Sequence, residues 1–198
     1  MRLPFLSTPA AILALAFSFV FSGFPFPASA QATTSQISVD EYSLKAAFLY
    51  NLAKFMDWPP NKFENVDSPI IIGVEGPEAL EKFTVVVNGK IIARRKVVVR
   101  PIRSDAEIKD CQILFITRSQ DDPTMELRNL AEKLAILTVG ESDKFLDSGG
   151  MIRFYLEADN LRLEINNDSI HHAGLSIKAN ALSTLVNKGI AKLKKLQP

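Results

Sequence analysis

Cysteine and histidine are nearly missing from this 198-residue chain: there is one of the first, Cys111, and there are two of the second, His171 and His172. A single thiol excludes an intramolecular disulfide, whereas exported proteins usually carry cysteines in pairs. Adjacent histidines on a helix point about 100° apart, so they do not chelate one metal as an i, i+4 pair would. No G-x-S-x-G elbow offers a serine nucleophile. The segment Gly73–Gly76 lacks both the lysine of a phosphate loop and the spacing of a dinucleotide fingerprint. A formal net charge of only +1 leaves none of the basic surplus of a nucleic-acid binder. The residues assemble no catalytic constellation and call for no cofactor or metal.

Long apolar runs are also scarce. The strongest, residues 10–22 (AAILALAFSFVFS), is followed by Gly23, Pro25 and Pro27 and falls short of the roughly 20 residues that span a bilayer. Arg2 precedes it and Ala28-Ser29-Ala30 follows it, the order of a secretory signal peptide cleaved ahead of Gln31. Arg2 leaves with that segment, so the exported chain is formally neutral. Residues 31–38 read as a flexible polar leader, and residues 39–198 as one α/β domain with a sizeable core.

What is present is a regular alternation of segments. In 46-AAFLYNLAKFMDWPP-60, Leu44, Phe48, Leu52 and Phe55 lie on one stripe of a helix over residues 39–58, with Glu41 and Lys45 paired on the opposite side and Pro59 as the stop. Strands follow at 69–74, 96–100, 112–117 and 135–139. Helical segments over 78–83, over 104–109 and from Asp122-Pro123 onward separate them. That order indicates βαβ units and a mostly parallel, Rossmann-like sheet flanked by helices. Residues 151–157 and 161–166 alternate and read as a C-terminal antiparallel hairpin. Gly149-Gly150 supplies the unusual backbone angles before it. Asn167 or Asp168 caps a helical turn ended by Gly174, and a last helix covers 178–193. Glu141, Asp143 and Asp147 read as a solvated face. Lys188, Lys192, Lys194 and Lys195 suit a helix C-terminus, with a weak contact to acidic lipid or cell-wall polymer as the alternative.

Several spaced motifs say more than composition does. Glu41-Tyr-x-x-Lys45-Ala-Ala-Phe48-Leu-Tyr-Asn51, Lys54-Phe55 and Trp58-Pro59 resemble the opening signature of the YfiR family of periplasmic proteins. Cys111–Ile116, Gly149–Ile152, Leu161–Asn166 and Ala173–Ile177 are similar to it as well, in the same order. The resemblance implies a homodimeric, non-enzymatic periplasmic regulator that restrains a YfiN-like diguanylate cyclase of the inner membrane through the cyclase's periplasmic region. It implies that a YfiB-like outer-membrane lipoprotein can sequester the regulator, and that the output is cyclic di-GMP, hence biofilm formation and motility. Family members often pair a first-strand cysteine with the one matching Cys111; here Gly73 stands at that place, so redox control through that bridge is not expected. The alternative function is a small-molecule sensor, with its ligand at Glu75–Glu78 beyond the first strand.

The resemblance points to the C-terminal region as the face that meets the cyclase. In residues 161–166, Leu161, Leu163 and Ile165 share the inward face, which turns Glu164 outward beside Ile170 and His171 on the following turn. An exposed acid beside an apolar residue suits a recognition patch, with the apolar group as anchor and the charge setting register. Trp58, off the apolar stripe of the first helix, is the further anchor expected. Partner-binding residues are thus Glu164, Ile170, His171 and Trp58.

Overall fold

The computed structural model describes residues 40–118 and 125–194; the expected signal peptide, leader and Asp122-Pro123 helix start lie outside the described residues. In chain order the elements are α1 (Glu41–Ala53), β1 (Met56–Asp57), β2 (Ile70–Val74), α2 (Pro77–Val87), β3 (Ile91–Ile92), β4 (Arg95–Pro101), α3 (Asp105–Ile108), β5 (Ile113–Phe115), α4 (Met125–Lys133), β6 (Leu137–Gly140), β7 (Ile152–Glu157), β8 (Asn160–Ile165), α5 (Asn167–His172), β9 (Ser176–Ile177), α6 (Ala179–Asn187) and β10 (Ala191–Leu193). Eight strands form one sheet in the order β10-β8-β7-β6-β5-β2-β4-β3. The pairs are parallel except β3 with β4 and the β7–β8 hairpin. The α/β fold with a mostly parallel sheet expected from the sequence is the fold found.

Strand alternation divides the interior in two. Ile70, Ile72 and Val74 turn toward α1 and α2, where Ala46, Leu49, Ala79 and Phe83 meet them. Ile71 turns the other way with Leu114, into a second cluster closed by Ile108, Ala131 and Phe145. Helices therefore cover both faces, as a parallel sheet requires. A fully buried side chain such as Leu49 contributes roughly 1.5–3 kcal/mol.

The first helix departs from the expected stripe. Its buried residues are Lys45, Ala46, Leu49, Leu52 and Ala53, whereas Leu44 and Phe48 are only half-buried and Phe55 is 40% exposed. Small residues decide the seam: Ala46 and Ala53 let the helix axis approach its neighbours, which pushes the larger Phe48 to the flank. The helix also ends before Trp58. Met56 and Asp57 leave it to pair antiparallel with Ile177 and Ser176, and the Lys178 N–H donates to the Phe55 carbonyl at 2.9 Å.

The last helix is likewise shorter than the spacing suggests. Gly189, with φ +66°, closes α6: its N–H donates to Val186 O, and the Ile190 N–H to Leu185 O, both at 2.9 Å. That pair of bonds is a Schellman turn. It releases Ala191–Leu193 to add a parallel strand alongside Leu163–Ile165. Lys188 stays at the helix C-terminus as its cap, whereas Lys192 lies within the strand and Lys194 just after it; Lys195 lies outside the described residues. The cap of α5 moves by one residue, since the Asn166 side chain accepts from the Ser169 N–H at 3.1 Å.

Candidate functional site

The expected partner residues occupy unlike environments. Glu164 sits on β8 directly opposite Arg153 of β7, whose Nη2 donates to its carboxylate at 2.8 Å, with Lys192 Nζ at 3.8 Å. Its side chain keeps 20% of its surface exposed. Trp58 is half-buried, its Nε1–H donating to Gln112 O at 3.4 Å and its ring meeting Phe63 edge-on. His171 is exposed on α5. Ile170 is not: it is 0% exposed and belongs to the main core. The reason is the register of a one-and-a-half-turn helix, which must direct one residue into the sheet and directs this one. Ile170 therefore holds α5 down and does not anchor a partner.

The chain near Trp58 and the end of α5 do come together. Pro59, Lys62, Leu134, Ala135 and Ala173 line one groove of about 400 Å³. Lys62 Nζ donates there to Leu134 O at 2.7 Å, and burial lowers its pKa. Glu164 is engaged elsewhere, through Arg153. That guanidinium also binds Asp143 at 2.6 Å, on the wall of a second and larger cleft.

This cleft, about 550 Å³, lies beyond the carboxyl ends of the central strands. Glu78 reaches it from the first turn of α2 after β2, Arg118 from the end of β5 and Glu141 from the end of β6. From β4 on one side of β2 the chain crosses to β5 on the other. The cleft thus stands at the reversal of strand order, the place where open α/β sheets hold ligands. Arg153, Phe154, Tyr155 and Leu156 of β7 form the opposite wall.

A buried ion pair floors it. Lys45 and Glu141 are each 4% exposed, with Nζ and Oε1 2.5 Å apart, and Glu41 pairs with the same ammonium. The second Glu141 oxygen accepts the Arg118 N–H at 3.0 Å, and the Arg118 guanidinium donates to the Glu141 carbonyl. Lys45 was expected on the solvent side of its helix and Glu141 on a solvated loop; both expectations are overturned. The missed signal lay in position: Glu141 directly follows the fully buried strand Leu137–Gly140, where a carboxylate must find a cation. Beside the pair, Tyr42 has its hydroxyl pKa pushed up to about 12, by burial first and then by Glu141, Glu78 and Glu41. The cleft offers fixed charges and aromatic surface for binding. Among the described residues no group of three or more acids, histidines or cysteines is placed to hold a metal ion.

Cys111 is fully buried, and burial raises its thiol to about 11. A Cβ built on Gly73 would stand 2.8 Å from its Sγ, so the glycine in the first strand does face this thiol. A buried, protonated thiol is inert, which argues against Cys111 forming a disulfide with a second chain.

The sequence profile of the YfiR/HmsC-like family matches residues 42–184, from the first turn of α1 to the middle of α6. The chain belongs to the YfiR/HmsC-like family. No curated protein matches it. The matched span contains the Glu164–Arg153 pair and all of the charged cleft's lining but Asp40 and Glu41, and among the described residues no helix is long and apolar enough to cross a membrane.

Proposed function

We propose that this protein is a periplasmic regulator that binds the periplasmic region of an inner-membrane diguanylate cyclase and restrains it, lowering cyclic di-GMP and so controlling biofilm formation and motility. The observation that carries this reading is the family assignment over residues 42–184. That family is regulatory, not catalytic, and periplasmic. In this reading the protein acts as a homodimer, and a YfiB-like outer-membrane lipoprotein competes for it, as the resemblance implies. The proposed partner contacts fall in two places: Trp58 and His171, with Ile170 holding α5 from beneath, and Glu164 beside Arg153. A partially exposed carboxylate held by Arg153 presents a fixed charge, which sets register across an interface more than it adds affinity.

The test is capture of the full protein by the cyclase's periplasmic region. Wild type should bind. Glu164→Lys, which places a third cation beside Arg153 and Lys192, should keep its circular dichroism spectrum and lose at least tenfold in affinity. Unchanged affinity in a well-folded Glu164→Lys variant would move the interface elsewhere.

A second reading, a small-molecule sensor, is supported by the 550 Å³ cleft at the strand-order reversal. Native mass spectrometry of protein recovered from the periplasm reads it directly. A mass above that of the polypeptide, lost on Glu141→Gln, supports a ligand; an unliganded mass alone counts against one.

A further inference from the structure

The formally neutral exported chain carries its charge unevenly. Residues 88–104 contain Lys90, Arg94, Arg95, Lys96, Arg100 and Arg103 and not one acid. This segment is the β3–β4 hairpin and the length of β4. Val97 and Val99 turn to the main core, so Lys96, Val98 and Arg100 turn to the other face. Ile91 stands opposite Lys96 in register and joins them. No residue of β3 or β4 belongs to the hydrophobic cluster beneath α3 and α4. The outer face of this sheet edge is left open, with Ile91 55% exposed.

The turn itself is built for charge. Ala93 and Arg94 have φ +47° and +76°, both in the left-handed region. A two-residue hairpin turn of that kind favours Asn-Gly, and an arginine held there costs on the order of 1–2 kcal/mol. Among the described residues, Lys90, Arg94, Lys96 and Arg100 have no carboxylate within ion-pairing distance. Arg95 is fixed, stacked 3.7 Å above Phe63 and bonded to the Asn65 and Ser68 carbonyls, and Lys90 lies over the Tyr50 ring of α1 at 5.1 Å. The lysines at the opposite edge differ: Lys192 reaches Glu164 and Lys194 reaches Asp147 at 3.0 Å. Their expected contact with acidic lipid therefore has little free charge behind it.

We propose that the β3–β4 hairpin docks the protein on an anionic bilayer surface, with Arg94, Lys96 and Arg100 meeting acidic headgroups and Ile91 entering the interface. Charge complementarity selects an anionic occupant. Long, unpaired side chains spread over an open face suit the diffuse charge of headgroups, whereas an acidic protein would be met by fixed, paired cations like Arg153. The choice of lipid also rests on the proposed function, because a regulator of an inner-membrane cyclase works within reach of that bilayer.

The experiment is co-sedimentation of the exported protein with vesicles of phosphatidylcholine alone or mixed with phosphatidylglycerol. Binding is expected only to the anionic vesicles, and it should weaken as salt screens the charge. The decisive variant is Arg94→Gly with Lys96→Gln: glycine relieves the turn, so melting should not fall, while loss of two cations should weaken binding roughly thirtyfold. Absent binding to anionic vesicles, equal binding to neutral ones, or an unweakened variant overturns the proposal. So does a lipid-free loss of cyclase binding in the same variant, which would make the hairpin a protein interface. Failure of the wild type to bind the cyclase at all, with vesicle binding intact, would instead count against the regulatory reading and leave the lipid contact standing.

Discussion

At the scale of single residues, Lys45 and Glu141 are the pair whose removal should be felt most. Each is held inside the fold chiefly by the other, with the more exposed Glu41 a second partner for Lys45, so Lys45→Met or Glu141→Leu alone leaves a buried charge without its main partner and should lower stability by about 3–5 kcal/mol. The double change Lys45→Met with Glu141→Leu should cost less than the sum, as urea unfolding will show; additive losses would mean the pair is not coupled. Alkaline pH acts at the same scale. Cys111 is raised from 9.0 to about 11 and Tyr42 from 10.0 to about 12, both chiefly by burial. In each case the unfolded chain loses its proton first. Stability is therefore complete below about pH 9 and falls as pH rises toward 11 and 12. Thermal melts between pH 8 and 12 should show this decline. With Cys111→Ala its onset should move about one unit higher, to the range set by Tyr42.

Elements show where sequence periodicity carried information and where it did not. The strands at Ile70–Val74 and Ile113–Phe115 and the β7–β8 hairpin were legible because burial on one or both faces writes itself into β-branched runs and alternation. The stripe of α1 was misread because helix seams follow close approach as well as size, and Ala46 and Ala53 outrank Phe48. Strand β10 was hidden inside an apparently helical tail; Gly189 was the one residue that announced the break. Gly189→Ala should accordingly cost about 1 kcal/mol through its left-handed backbone, measured by urea unfolding. Helix α5 carried the costliest error for the site. Ile170→Ala should lose 2–5 kcal/mol as a core deletion, and Ile170→Asp should fail to fold. A well-folded Ile170→Asp protein with weakened partner binding would contradict the burial seen here.

For the whole molecule, the fold class and family were readable because motifs spread from Glu41 to Ile177 keep their order. The charged cleft was not, because it is made by strand ends that come together only when the sheet forms: α2, β5 and β6 contribute Glu78, Arg118 and Glu141 from positions far apart in the chain. The hairpin's basic face was visible as a run without acids, but its exposure depends on the short α3 leaving β4 uncovered. All three features fit a protein that recognises and holds, in keeping with its membership of a regulatory family. The measurement that tests this most directly is cyclic di-GMP inside spheroplasts that carry the cyclase, with the purified exported protein added outside. The account predicts a saturable, dose-dependent fall, weaker with Glu164→Lys. A cyclase that is active and entirely unresponsive to the wild-type protein would contradict it.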